Sequence, residues 1–239
     1  MLTCNRLPCR TARCSNRGGF TLVELLVVIG IIAILAGVAL GPITNGIKQA
    51  KHNAAMQTGR QIGQMCFSYS TDNTANGNAY PSDATGYQIA QDLINASYAT
   101  DPSVFVVSGQ TGVTNYAGAS PIVLTNANCS WSFTCVALTP PTTSPPGGIT
   151  STASDLTPLV FFNNGAGVSL TTPFPASPGT AKSIGTLGAN APFGTDGLAV
   201  FYKGNNAAYL KAGTAGTVGV VSNFLSSNDT DTTTYLIAP

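Results

Sequence analysis

The chain has 239 residues, ten basic and nine acidic side chains, and charge at only 8% of its positions. Charge this sparse leaves no basic surface for nucleic acid. With 26 Gly and 15 Pro, and Ser, Thr, Asn and Ala dominating beyond Leu40, the composition is that of polar loops and short strands in an exported chain.

The first 19 residues carry Arg6, Arg10, Arg13 and Arg17 and no acid. Cys4, Cys9 and Cys14 recur there at five-residue spacing, but with no histidine nearby they do not make a metal site. Phe20 to Leu40 follows as an apolar run whose single charge is Glu24, the only glutamate in the chain. As a helix it is about 31 Å long, enough to span a bilayer. By the positive-inside rule the basic stretch stays in the cytoplasm and the chain beyond Leu40 is exported. A carboxylate inside such a span costs about 3 kcal/mol and calls for a cationic partner. Two plainer readings stand beside this one. Glu24 can cap its own helix, or Phe20 to Leu40 can be the core of a secretory signal, with Gly37 and Ala39 preceding a cut at Leu40.

Basic residues, then Gly18-Gly19, then Phe20-Thr21-Leu22-Val23-Glu24-Leu25-Leu26-Val27-Val28-Ile29, resemble the signal and mature N-terminus of type IV pilins and type II secretion pseudopilins. The resemblance implies that a prepilin peptidase cuts between Gly19 and Phe20 and N-methylates Phe20. In the filaments of that family the glutamate is thought to pair with a neighbour's amino terminus and set the subunit register, a role that falls here to Glu24. On a helix starting at Phe20, the new ammonium would lie about 6 Å along the axis from Glu24. Loss of the leader leaves six basic side chains against nine acidic ones.

Gly41-Pro42 is expected to bend or break the helix, because proline removes a donor and crowds the preceding turn. Ile43, Ile47, Ala50, Ala54, Ile62, Met65, Cys66 and Tyr69 then mark the apolar stripe of an amphipathic helix to about residue 72. Lys48, Lys51, His52, Gln57, Arg60 and Gln64 fall on the polar face, with His52 read as solvated. A turn-rich loop, Asp72 to Pro81, precedes a short helix from Tyr87 to Tyr98 that turns Ile89, Ala90, Leu93 and Ile94 inward. The loop ending in Tyr80-Pro81 also resembles the stretch that follows the spine of many pseudopilins.

Strands are predicted at Val104–Val107, Ile122–Leu124, Trp131–Leu138, Leu159–Phe162, Leu198–Tyr202, Thr217–Val221 and Tyr235–Ile237. Asn164-Gly165 and Asp196-Gly197 mark turns, while Thr139–Ser154 and Thr171–Thr180 read as irregular loops. In an oxidising compartment Cys129 and Cys135 would favour a local disulfide around Trp131, leaving Cys66 as a small buried apolar group. Asp229 and Asp231, in Asn228-Asp229-Thr230-Asp231, offer a partial oxygen set for calcium, against the reading of a polar turn. No other cofactor is implied. The chain shows no nucleotide loop, zinc spacing or histidine-centred triad.

The fold expected is α+β: a long N-terminal transmembrane and amphipathic helix packed on a β-rich head with an antiparallel sheet. The divisions are a leader at 1–19, an assembly helix at 20–40, its amphipathic continuation at 41–72 and a head at 73–239. The function expected is that of a structural, non-enzymatic subunit. Through the resemblance its partners are copies of itself, other pilin-like subunits, a prepilin peptidase and an inner-membrane assembly platform. A bacterial inner-membrane protein is implied, with its head exported into a periplasmic pseudopilus or surface pilus. A membrane-anchored or released adhesin that never polymerises is the alternative.

Overall fold

The computed structural model describes residues 19–136, 147–162, 174–175, 192–194, 196–211 and 234–238. Chain contacts divide the protein into two units, Met1–Gly46 and Ile47–Pro239.

One helix, α1, runs from Leu22 to Asp72. In the first unit its side chains are exposed throughout, including Leu22 at 87% and Ile34 at 70%. The expected break at Gly41-Pro42 is not there, since the helix continues through Pro42. Proline withdraws only the donor that would meet the Val38 carbonyl, while Thr44 Oγ1 donates to the Gly41 carbonyl at 2.9 Å.

In the second unit α1 buries Ala55, Gly59, Ile62, Gly63, Cys66 and Ser70. The buried face is rotated from the predicted stripe: Ile43 and Ile47 are more than half exposed, and Ala50 and Ala54 are exposed as well. Two small residues decide the difference. A Cβ on Gly59 would sit 3.1 Å from the Trp131 ring, and one on Gly63 would overlap the Phe201 ring. Glycine lets both aromatics lie against the helix backbone, so the close approach selects the face.

The described strands are β1 (Trp131–Val136), β2 (Pro158–Phe162), β3 (Phe174–Pro175), β4 (Gly197–Tyr202), β5 (Asn206–Lys211) and β6 (Thr234–Ala238). They form one antiparallel sheet in the order β3-β6-β1-β2-β4-β5. β1, β2 and β4 are buried along nearly their whole length, and Phe161, Phe162 and Leu198 are fully enclosed. Burying such side chains contributes roughly 1.5–3 kcal/mol each. The second helix, α2 (Gly86–Asn95), adds Ile89, Ala90 and Leu93, as its pattern predicts.

Two predicted strands are absent. Val104 and Phe105 belong instead to a 3₁₀ turn, Pro102–Phe105. Its exit is tied to Ser130, which donates from its N–H to the Phe105 carbonyl and accepts at Oγ from the Val107 N–H, both at 2.8 Å. Ile122–Leu124 has no strand partner and pairs with a side chain instead. Gln91 Nε2 donates to the Ile122 carbonyl at 2.9 Å, and the Leu124 N–H donates to Gln91 Oε1 at 2.7 Å. Amide groups on α2 thus substitute for a neighbouring strand.

Strand β5 was missed because Asn206-Ala207-Ala208 lacks β-branched residues; it pairs with β4 from Tyr202↔Asn206 to Gly197↔Lys211. The hairpin turn between β4 and β5 lies at 203–205, while Asp196 sits in a bend and Gly197 opens β4. Strand β3 falls within a stretch read as loop. The leader, Asn164-Gly165, Thr217–Val221 and the Asp229/Asp231 calcium candidate lie outside the described residues.

The Cys129–Cys135 disulfide is corrected. Both thiols are free, as is that of Cys66, and all three are buried. Cys129 is extended and Cys135 lies in β1, so six residues of extended chain, about 20 Å, separate them. A disulfide tolerates Cα separations only up to about 7 Å.

Candidate assembly site at the N-terminus

Thr21 and Glu24 open α1 as a reciprocal cap. Glu24 Oε2 accepts from the Thr21 N–H and from the Thr21 hydroxyl, both at 2.9 Å, while the Glu24 N–H donates to Thr21 Oγ1 at 3.2 Å. The arrangement satisfies donors that a helix start otherwise leaves without partners. Thr21 was overlooked in the sequence, although Thr-x-x-Glu is the spacing of this box. Phe20 precedes the cap and stands outside the helix, so the first-turn geometry assumed for its nitrogen does not hold. Among the described residues Glu24 Oε1 accepts no hydrogen bond, which leaves one carboxylate oxygen available to a cation. Around this cap the apolar surface is open: Phe20 is 81% exposed and Val23 70%.

Other candidate residues do not converge on this cap. Cys129 Sγ donates to the Trp131 carbonyl at 3.3 Å. Burial pushes the Cys129 and Cys135 thiols up to about 12, far from the thiolate form a nucleophile needs. His52 is not solvated. Its ring stacks on Tyr209 at 3.8 Å between centroids and meets Phe193 at 5.1 Å. Burial lowers its pKa, Asp196 opposes that shift, and Lys48 and Lys211 reinforce it. The sequence could not show this, because Tyr209 lies on the missed strand. Among the described residues no group of three metal-ligating side chains occurs.

Among the described residues one helix, α1, is long and apolar enough to cross a membrane. Residues 14–40 match the family model of the prokaryotic N-terminal methylation motif. The chain carries a prepilin-type signal. Neither the curated proteins nor the solved structures gave a match to the chain. The prepilin signal is the signature of type IV pilin and pseudopilin precursors, which are processed by a prepilin peptidase and are structural subunits. With the exposed apolar helix, it supports membrane anchoring.

Proposed function

We propose that this chain is a pilin-like structural subunit, cut between Gly19 and Phe20, N-methylated at Phe20 and polymerised through its N-terminal helix into a type II secretion pseudopilus or a type IV pilus. The observation that carries this reading is the methylation motif over residues 14–40. In the inner membrane the N-terminus faces the cytoplasm and the head is exported, until an assembly platform draws the subunit into the filament beside copies of itself and related subunits. The open apolar surface from Phe20 to Leu40 supports bundling with like helices. Glu24 Oε1 supports pairing with a neighbour's amino terminus, because two desolvated opposite charges attract while either one alone is penalised. The Tyr80-Pro81 loop followed by α2 favours the pseudopilus.

The intact mass of the protein from its native membrane tests the processing step. A chain beginning at N-methylated Phe20 supports the reading, whereas a start near Leu40 would discard Glu24 and the assembly helix with it. Glu24→Ala then separates a filament subunit, whose assembly should fall sharply, from an adhesin, whose surface display should persist.

A further inference from the structure

Charge is segregated along the exported chain. Between Arg60 and Lys182 there is no Lys, Arg or His, but Asp72, Asp83, Asp92, Asp101 and Asp155 all occur. Arg60 is exposed on α1, and the ion pairs among the described residues are Lys48–Asp196 and Lys203–Asp155. Two turns further along α1, about 10 Å, Phe67 is 56% exposed on the same flank as Arg60.

A second flank of α1 borders an open groove of about 660 Å³, lined by Thr58, Gln61, Met65, Tyr98, Asp101 and Val104 among others. Of the helix residues lining it, Thr58 lies about 160° around the helix from Arg60 and Gln64 about 40°, so the groove is centred about 100° from the Arg60–Phe67 flank, at about 100° per residue. Asp101 is fixed at the groove wall, with Oδ1 accepting from the Ser103 N–H at 2.8 Å and Oδ2 from the Ser103 hydroxyl at 2.7 Å. Tyr98 donates to Asp72 Oδ2 at 2.6 Å, which holds a second carboxylate near the groove. Both carboxylates have lone pairs left for a cation. Lys51 is also exposed, but it lies two turns before Thr58 and outside the groove.

We propose that the Arg60–Phe67 flank of one copy docks into the Asp101 groove of the next. The guanidinium pairs with the oriented carboxylate and the Phe67 ring leaves water against Met65 and Val104. The two surfaces differ, so the contact is heterologous and propagates without closing on itself unless the rotation makes a ring. The contact rests on the polymerising reading above and names the exported face through which heads would meet.

The test uses the full processed chain in its membrane, with Cys substitutions at exposed Gln57, one turn before Arg60, and at Thr100 beside Asp101, and a short thiol-reactive cross-linker, so that Arg60 and Asp101 are both kept. Native Cys66, Cys129 and Cys135 are buried, and the unsubstituted chain reports their background. The doubly substituted chain should give a ladder of multimers, and Gln57→Cys co-expressed with Thr100→Cys should stop at dimers. No ladder, or dimers from Gln57→Cys alone, would overturn the proposal. Separately, Arg60→Asp and Asp101→Arg should each lower filament yield about ten-fold or more, and the pair together should restore it. Recovery in the pair excludes misfolding of either variant as the cause; no recovery counts against the contact. Filaments without the ladder would overturn this contact alone, while a ladder in membranes that yield no filaments would keep the contact and sink the polymer reading.

Discussion

Thr21 and Glu24 hold each other through three hydrogen bonds, two of them to the single oxygen Oε2 of the carboxylate. The glutamate therefore has a local structural task at the helix start, and its second oxygen is left for another. Thr21→Val should remove the hydroxyl bonds at a cost of about 1 kcal/mol in helix stability, with Thr21→Ser restoring them. Filament yield should fall modestly with Thr21→Val and far more with Glu24→Ala. Equal losses would mean that capping is all Glu24 does.

Gly63→Ala should destabilise the second unit, Ile47–Pro239, by about 1–3 kcal/mol, because the new methyl group would overlap the Phe201 ring and force it to move. Gly59→Ala, with the Trp131 ring 3.1 Å from the added carbon, should cost less. Thermal melts of the processed protein in detergent check the order of the two.

Stability should fall in mildly acidic solution through His52. Its folded pKa is lowered mainly by burial, so the unfolded chain binds the proton more readily. The contribution is fully present above the unfolded value of about 6.5 and is lost as pH drops through that value towards the folded one. Melting midpoints measured from pH 8 to pH 5 should decline, and His52→Gln should flatten that part of the profile. An unchanged slope in the variant would place the titrating group elsewhere.

Gln91→Leu should free the segment at Ile122–Leu124, since one side chain makes both bonds that pin it. Loss of the pair should cost about 2–3 kcal/mol. Faster hydrogen exchange at the Leu124 amide, with the core of α2 still protected, would localise the effect.

The N-terminal helix was legible in the sequence because length, hydropathy and one misplaced charge all point the same way between Phe20 and Leu40. Alternation and apolar runs likewise revealed β1, β2, β4 and the inward face of α2. What escaped was decided by partners distant in sequence. The face of α1 turns on two rings, Trp131 and Phe201, that meet glycines rather than on its own apolar residues. Ile122–Leu124 has the composition of a strand, yet Gln91 satisfies its backbone. Cys129 and Cys135 are close in sequence, and the extended backbone between them places them far apart in space.

The seating of Trp131 at Gly59 and of Phe201 at Gly63 has a mechanical consequence. Two rings lodged in gaps one helical turn apart act as a key in a keyway, blocking rotation of the helix about its axis as well as sliding along the sheet. A pull applied along residues 47–72 is then delivered to the strands without slip. For a chain pulled by that stretch of helix, the second unit would follow as a rigid load.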